Sequence, residues 1–395
     1  MIDKMFYKKL LKSTFSIPAE ITFWDGETVR YGDGDPHFKL IFRDVIPKGE
    51  LIQDPSIAFG EAFMDGIIDV EGDLKEVVAS MYRSQESFLG NGKIYAHLLK
   101  KISNTAKRSK ENVAFHYDIG NDFYKLWLDE TMTYSCGYFK NPDDSLKTAQ
   151  QNKVAHILKK LNLQKGQTLL DIGCGWGELI IAAAKRYGVK ATGITLSEEQ
   201  YERVKERRVE EQLEDLIDVK LMDYRELKNQ KFDRVVSVGM LEHVGQEHLP
   251  EYFQKVDELL EMGGLSVLHS ITSQKEGATN SWIDKYIFPG GYIPSVSELV
   301  NHITSNKFFL TDLESLRRHY EKTLDHWAEN FENVLDEVKK TKDERFIRMW
   351  RLYLHACSAS FQTGNIDLSQ FIFTKGTNDS IPLTREYMYN EEKCG

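Results

Sequence analysis

The sequence predicts a doubly wound α/β domain with a helical insertion, preceded by a smaller α+β domain. The chain has 395 residues, which is more than one hydrophobic core usually serves, so two domains are expected. From residue 169 onward, short apolar runs alternate with amphipathic segments, a pattern typical of a mostly parallel sheet with helices on both faces. Residues 93–110 contain six basic and no acidic residues, with little apolar periodicity, which indicates a linker.

The amino-terminal region has the pattern of a compact module. Strand-like runs at Ile21–Trp24 and Phe38–Phe42 are separated by a turn rich in Gly, Asp and Pro, and a helix is predicted at Leu74–Tyr82. The predicted division of the chain is therefore a small α+β domain at 1–92, a basic linker at 93–115 and the α/β domain at 116–395.

The elements of the larger domain follow from the same periodicity. A helical block over 320–361 is predicted to be inserted over the sheet, between strands at Phe308–Leu313 and Gln370–Thr374. The other predicted strands are Leu169–Ile172, Lys190–Ile194, Asp218–Met222, Phe232–Val238 and Leu265–His269, with helices near Glu178–Arg186, Glu198–Glu211 and Leu249–Glu261.

Composition excludes several classes of protein. A net charge of −10 argues against general nucleic-acid binding. No apolar run approaches the roughly 18 residues of a membrane-spanning helix, and the lysine-interrupted first twenty residues do not resemble a secretory signal, so a cytoplasmic protein is expected. The four cysteines lie far apart, which predicts reduced thiols and no metal site.

A glycine-rich turn is the sharpest local signal. The run Leu169–Gly177 reads as a strand that ends in a GxGxG turn and opens a helix, with Asp171 two positions before Gly173. Dinucleotide sites have GxGxxG and cradle a pyrophosphate, whereas a carboxylate here suits the ammonium and sulfonium charges of S-adenosylmethionine. We therefore predict that Asp171, Gly173, Gly175 and Gly177 bind S-adenosylmethionine.

Residues after the next two strands complete this predicted site. No acid stands at the tip of the second strand, so Gln200, whose amide both donates and accepts, is predicted to bind the ribose hydroxyls. After the third strand, Asp223 offers a carboxylate to the adenine amino group and Tyr224 a ring to pack on the base. From pattern alone, Gln200 could equally be a solvated helix position and Tyr224 a core ring.

Several motifs together resemble the cyclopropane-fatty-acyl-phospholipid synthases. They occur in the order of that family: His116–Tyr124, Thr133–Phe139, Leu169–Gly177, Gly193–Gln200, Glu242–Gly245, Ile287–Gly291 and Cys357–Phe361. Residues Gly66–Asp73 look like part of the small amino-terminal domain of the bacterial enzymes, which the related mycolic-acid cyclopropane synthases lack. The resemblance implies a class I S-adenosylmethionine-dependent methyltransferase of the phospholipid branch.

The resemblance implies methylene addition across a cis double bond of a phospholipid acyl chain. Attack of the alkene on the methyl group leaves a carbocation, which must be shielded from water and then lose a proton so that the ring closes. In the family, bicarbonate takes that proton. Its implied ligands are Cys136, Glu242, His269, Ile271 and Tyr320, and the implied additional cofactor contacts are Tyr134, Ser135, Thr195 and Leu196.

Other residues of the resemblance have competing interpretations. Cys357 matches the cysteine designated as the active-site residue in the family, yet it shares a predicted helix face with Trp350 and Phe361 and could serve as a small apolar residue. Without the resemblance, His269 would equally be a satisfied core histidine. Four aromatic residues are predicted to line the acyl tunnel or to pack as a loop on the core: Trp282, Tyr286, Phe288 and Tyr292.

Two basic segments suggest how a lipid substrate is reached. Residues 1–18 contain a predicted short amphipathic helix, and residues 93–110 are basic. The apolar side of the helix is Met1, Ile2, Met5, Phe6, Leu10 and Leu11, and the flanking lysines are Lys4, Lys8, Lys9 and Lys12. We predict peripheral binding of both segments to the anionic inner face of the cell membrane; alternatively, the helix docks on its own domain.

The resemblance implies a homodimer. A methyltransferase for a soluble small molecule and a non-catalytic lipid-binding protein are the two alternative functions.

Overall fold

The computed structural model describes residues 2–84, 119–277 and 279–390. These residues form two compact units. The described part of the first unit is 2–84, 277, 279–289 and 320–366, and that of the second is 119–276, 290–319 and 367–390. The predicted linker at 93–115 lies outside the described residues, and the division at residues 92 and 116 stays a prediction.

The strands and helices are numbered in chain order within the described residues. The strands are β1 (Ala19–Thr22), β2 (Thr28–Tyr31), β3 (Phe38–Phe42), β4 (Ile68–Glu71), β5 (Thr168–Ile172), β6 (Lys190–Thr195), β7 (Ile217–Leu221), β8 (Phe232–Val238), β9 (Leu260–Thr272), β10 (Phe308–Ser315) and β11 (Asp367–Lys375). The helices are α1 (Ile2–Lys12), α2 (Lys48–Gln53), α3 (Pro55–Met64), α4 (Leu74–Arg83), α5 (Asn121–Trp127), α6 (Leu146–Lys160), α7 (Glu178–Tyr187), α8 (Glu198–Glu210), α9 (Leu249–Leu259), α10 (Ser281–Tyr286), α11 (Val296–Ser305), α12 (Arg317–Asn333), α13 (Leu335–Val338), α14 (Glu344–Gln362) and α15 (Glu386–Tyr389).

The second unit is built on a seven-stranded sheet of described residues. Its order is β10-β11-β9-β8-β5-β6-β7, in which the pairs from β9 to β7 are parallel and β11 runs antiparallel to both neighbours. Strands β5 and β8 are almost wholly buried because they are central and covered on both faces. The predicted mostly parallel α/β sheet is therefore confirmed, and its carboxyl edge, where ligands bind in such folds, carries the turns discussed below.

The first unit has a four-stranded sheet in its described part, ordered β2-β1-β3-β4. Alternating residues of β1 and β3, such as Ile21 and Leu40, point into its core, as the period of two in a half-buried strand requires. The helical block is inserted in sequence between β10 and β11, but α14 packs on α3 and α4 of this unit. Lys75 of α4 adds ion pairs with Glu321 at 3.1 Å and Asp325 at 2.8 Å.

Helix α1 docks on its own unit, which is the alternative stated for it above. Tyr7 and Leu11 are fully buried, and the Tyr7 hydroxyl donates to the main-chain oxygen of Ile46 at 2.5 Å. Lys4 and Lys8 both form ion pairs with Glu27. The sequence analysis placed Met5 and Leu11 on the same apolar face of this helix, and that was wrong. Leu11 lies in the core, whereas Met5 is 73% exposed. The basic segment at 93–110 lies outside the described residues.

Most predicted boundaries agree with the structure to within two residues. The first strand begins at Ala19 where Ile21 was expected, and β9 runs from Leu260 to Thr272 where Leu265–His269 was expected. Strands β2 and β4 were not predicted. None of the described helices is long and apolar enough to span a membrane.

Candidate active site

The turn after β5 requires a glycine at position 173. Gly173 has a φ of +87°, and a Cβ there would lie 2.9 Å from the side chain of Met240. The amides of Gly173 and Cys174 both donate to the Ile194 oxygen at 2.9 Å, which ties the turn to β6. An L side chain at Gly173 is therefore excluded by both conformation and space.

A pocket opens beside this turn, at the carboxyl ends of β5, β6 and β8. Gly177 does not line it, because this residue caps α7 with a φ of +86° and packs against Val204. The other predicted cofactor contacts all line the pocket: Tyr134, Ser135, Asp171, Gly173, Gly175, Thr195, Leu196, Gln200, Asp223 and Tyr224.

Two buried charged groups set the electrostatics of the pocket. Asp171 is 2% exposed, and its Oδ1 atom has no hydrogen-bond partner among the described residues. Burial raises the pKa of Asp171 to about 7. Lys153, on α6, is also buried and donates to Ser135 Oγ at 3.1 Å, and burial lowers its pKa to about 8. The unpaired oxygen of Asp171 provides an acceptor for a cationic ligand group.

The polar groups predicted for ribose and adenine are already fixed in place. Gln200 is buried, and its Oε1 accepts from Thr195 Oγ1 at 2.7 Å. Because the amide oxygen is engaged in that contact, the NH₂ group of Gln200 is the part that can donate to a ligand. Its burial excludes the alternative of a solvated helix position. Arg225 holds Asp223, with Nε–Oδ1 at 2.8 Å and Nη2–Oδ2 at 2.6 Å. A ligand amino group at Asp223 would therefore share that carboxylate with Arg225.

For Tyr224 the interpretation as a core ring is confirmed, and its packing against a base stays a prediction. Its ring belongs to the core cluster under the sheet and also lines the pocket. It lies edge-on to Tyr252, with 5.6 Å between ring centroids. Burial raises the pKa of its hydroxyl, which therefore stays protonated at neutral pH.

Glu242 lies next to the pocket in the short 3₁₀ turn Leu241–His243 after β8. Its Oε1 accepts from the amide of Ile271 at 2.6 Å, and its buried Oε2 has no partner among the described residues. Burial raises the pKa of Glu242 to about 7, so the carboxyl group can hold or release a proton near neutral pH. Ile271, which the resemblance implies as a bicarbonate ligand acting through its backbone, donates its amide to Glu242 in this structure.

His269 is a fully enclosed residue of β9, at 1% exposure. It is the β-sheet neighbour of Val238, and the Gly239 amide donates to its main-chain oxygen at 2.9 Å; both of those residues line the pocket. Its Nδ1 accepts from Gln370 Nε2 at 3.0 Å, while Nε2 has no partner in the described part of the chain. Burial holds the pKa of His269 well below its usual value, so the ring is neutral. One ring nitrogen of His269 is thus satisfied, and Nε2 is left for a ligand.

The other three predicted catalytic residues, Cys136, Tyr320 and Cys357, belong to two different units. Cys136 is fully buried in the second unit, and its thiol donates to the Gly137 oxygen at 3.2 Å. Tyr320 belongs to the first unit, where its ring lies 4.5 Å from that of Phe361. Cys357 is a partly exposed residue of α14 in the same unit. The roles of all three stay predictions.

Replacing Cys357 by Ser is expected to leave most of the activity intact. Burial raises the pKa of the Cys357 thiol to about 12, so the thiolate needed for nucleophilic attack is scarce at neutral pH. Initial rates of the purified variant, with the free energy of unfolding as a control for packing, test this. If the initial rate fell by more than about 10²-fold while the stability stayed unchanged, the thiol of Cys357 would be essential.

Lining residues that sequence reasoning missed include Lys153, Arg225 and His243. His243 stands inside a motif quoted for its neighbour, and burial lowers its pKa to about 4. Arg225 follows the predicted Asp223–Tyr224 pair directly. Lys153 gave no signal, because a lysine in a helix with no motif usually indicates a solvated face.

The chain is similar to known proteins in both sequence and fold. The chain matches the family described as mycolic acid cyclopropane synthetase over residues 104–371, and a domain of unknown function, DUF7884, over residues 6–93. It is 38% identical over 384 residues to a probable fatty acid methyltransferase of Pseudomonas putida, covering 94% of this chain and 96% of that one. It is 36% identical over 342 residues to the cyclopropane-fatty-acyl-phospholipid synthase of Escherichia coli K12, covering 85% and 87%.

Solved structures of cyclopropane synthases are also similar to this chain. The cyclopropane synthase MmaA2 from Mycobacterium tuberculosis matches with a TM-score of 0.65 and 35% identity, covering 67% of this chain and 98% of that one. The mycolic acid cyclopropane synthase CmaA1, complexed with SAH and CTAB, matches with a TM-score of 0.64 and 34% identity over 67% and 98% of the two chains. The predicted methyltransferase fold is thereby confirmed.

Proposed function

Because the chain belongs to the mycolic acid cyclopropane synthetase family, we propose that it adds a methylene group to the cis double bond of phospholipid acyl chains. It is an S-adenosylmethionine-dependent methyltransferase, so the donor is S-adenosylmethionine. The observation that carries the proposal is the position of Glu242 and His269. Each has a buried polar atom without a partner among the described residues, and both adjoin the pocket for the methyl donor.

The residues of the pocket position the donor. Asp171 would pair with the ammonium group, Gln200 would bind the ribose hydroxyls, and Tyr224 would pack against the base. In the reaction, the alkene attacks the methyl carbon, the carbon–sulfur bond breaks and S-adenosylhomocysteine leaves. The resulting cation loses a proton from the transferred methyl group, and the electrons of that C–H bond close the ring. An alkene is a weak nucleophile, so positioning supplies much of the acceleration.

Glu242 and His269 fit an anion that accepts this proton. His269 Nε2 has no partner in the described residues, and Glu242 can carry a proton on Oε2. Bicarbonate, which the resemblance implies, supplies a small base when bound. Glu242, His269 and the main chain of Cys136 would hold it, and Ile271 would act by donating its amide to Glu242. Tyr320 stays a sequence-based prediction for the same anion.

The phospholipid substrate is supported by the amino-terminal region and by apolar space within the first unit. The E. coli relative covers 85% of this chain, whereas the mycolic acid synthases cover 67%. The described part of the first unit contains a cavity with an almost wholly apolar lining, which suits an acyl chain. Its lining includes Phe59, Phe63, Val77, Val78, Trp282 and Leu352. Trp282 is also one of the four aromatic residues predicted for the acyl tunnel.

The proposed membrane contact uses the outer side of α1. Met5, Lys9 and Lys12 are exposed and recur at helical spacing, so they share a face that presents one apolar and two cationic side chains. Met5, Lys9 and Lys12 all belong to the membrane anchor predicted from sequence, whereas Lys4 and Lys8 of that anchor are engaged with Glu27. Location at the inner face of the cell membrane and a homodimer stay predictions from the sequence.

The test is incubation with S-adenosylmethionine and vesicles of cis-monounsaturated phospholipid, with and without added bicarbonate. Mass spectrometry of the released acyl chains is expected to show a gain of one CH₂ with loss of the alkene, stimulated by bicarbonate. Vesicles of saturated phospholipid are the control, and sedimentation of both kinds reports binding. Methylation of a water-soluble amine without vesicles, and no change in any acyl chain, would overturn the proposal in favour of a soluble substrate.

A further inference from the structure

A row of polar side chains crosses the sheet behind His269. In the strand register, Glu314 of β10 is opposite Gln370 of β11, and Gln370 is opposite His269 of β9. Directly opposed residues on neighbouring strands project from the same face and interact. Helix α6 contributes Lys160 and His156, which lie one helical turn apart. Two polar side chains of this helix therefore extend the row formed by the three strands.

The contacts form a continuous chain of hydrogen bonds. Lys160 Nζ donates to Glu314 Oε2 and to Gln370 Oε1, the second at 2.7 Å. Gln370 Nε2 then donates to His269 Nδ1 at 3.0 Å. His156 Nε2 binds the same Glu314 oxygen at 2.7 Å. Gln370, Lys160 and His269 are at most 1% exposed, so water does not compete within the chain.

Donor and acceptor chemistry determines the orientation of the Gln370 amide. The Lys160 ammonium has donors and no acceptor, so the amide atom that faces it must be the oxygen. The NH₂ group of Gln370 consequently faces His269, and a neutral imidazole must meet it with a lone pair on Nδ1. The reversed amide would place two donors against each other beside Lys160. The ring proton of His269 is thereby assigned to Nε2.

We propose that Lys160 and Gln370 are positioning residues that hold His269 as its Nε2–H tautomer, so that the ring presents a hydrogen-bond donor to an anion in the active site. This inference rests on the proposed function for the identity of the anion. The opposite tautomer would present a lone pair to that anion and repel it. A hydrogen bond to a charged group stabilises enough to change affinity by about tenfold or more.

Gln370→Glu is the most direct test, because it is nearly isosteric and replaces the NH₂ donor by an acceptor. The introduced carboxylate would still pair with Lys160, but it would require a proton on His269 Nδ1. We expect ¹⁵N-histidine NMR of the intact protein to show an unprotonated Nδ1 in the wild type and a protonated Nδ1 in the variant. His269→Asn identifies the resonance.

Kinetics separate positioning from general damage to the protein. The Gln370→Glu variant is expected to need about tenfold more bicarbonate for half-maximal rate, while its dissociation constant for S-adenosylmethionine changes less than twofold. Lys160→Met, which frees the amide to rotate, should give a mixture of both tautomers. Lys159→Met is the matched control, because Lys159 binds the Asn390 oxygen and is not part of the chain of hydrogen bonds.

Two results would overturn the inference: an Nδ1–H tautomer in the wild type, or an unchanged tautomer in Gln370→Glu. The NMR measurement requires no turnover. If the wild type shows the expected tautomer but forms no cyclopropane product, then the proposed function fails and the assignment of the tautomer stands. If the variant shifts the tautomer without changing the bicarbonate requirement, the proposed role toward the anion is wrong.

Discussion

Glu242→Gln is expected to lower the rate of product formation by about 10²-fold or more, because proton transfer by a positioned group contributes at least that much. A glutamine retains an oxygen that can accept from the Ile271 amide, so the local structure is preserved. Its NH₂ group cannot take up or release a proton, whereas the carboxyl group of Glu242, with a pKa of about 7, can do both. Single-turnover rates on unsaturated vesicles measure the effect.

The control for this prediction is Glu247→Gln, which removes a carboxylate from an exposed residue of the same segment. Binding of S-adenosylmethionine should change less than twofold in both variants, since Glu242 does not line the donor pocket. If Glu242→Gln kept more than half of the wild-type rate, Glu242 would have no part in proton transfer.

Asp171→Asn is expected to weaken binding of S-adenosylmethionine by about 10²-fold. The unpaired Oδ1 of Asp171 is buried beside the glycine turn, where hydrogen bonds to a charged group are strongest. An amide of the same shape keeps the packing but loses the charge. Isothermal calorimetry with S-adenosylmethionine measures the change, and an affinity within threefold of the wild type would exclude this carboxylate as the partner of the cationic ligand.

The same residue predicts how affinity depends on pH. Because the pKa of Asp171 is raised to about 7, the free protein carries a protonated carboxyl group at lower pH, and a cationic ligand binds only after that proton leaves. The dissociation constant should therefore rise by up to about tenfold per pH unit below pH 7 and level off above it. Calorimetry in buffers of different ionisation enthalpy should detect that binding of S-adenosylmethionine at pH 6 releases the proton of Asp171. The Asp171→Asn variant should lack this dependence.

Local signals explain why the sequence could predict the glycine turn and several residues that line the pocket. The run from Leu169 to Gly177 combines a buried strand, glycines and an acid within nine residues, so one short window determines the turn and places Asp171. Gln200 and Asp223 follow strands of the same unit, and the shared carboxyl edge of a parallel sheet brings them to one pocket.

Long-range pairing explains what the sequence could not predict. Gln370 and Lys160 are 210 residues apart, and only the register of β11 on β9 and β10 brings the amide between Lys160 and His269. Helix α1 illustrates the same limit, because its periodicity shows an amphipathic helix but not which side docks. Tyr7, which was outside the predicted apolar face, turned out to be fully buried.

The alignment of Glu314, Gln370 and His269 also limits how the chain length can change. Successive side chains of a strand point to opposite faces, so one residue inserted in β11 before Gln370 would turn its amide to the other face. An insertion ahead of Ser369 would place Ser369 beside His269, and a deletion there would place Phe371 beside it. Insertions and deletions in this strand should therefore be far more damaging than substitutions at its surface, and chain length here is a constraint separate from residue identity.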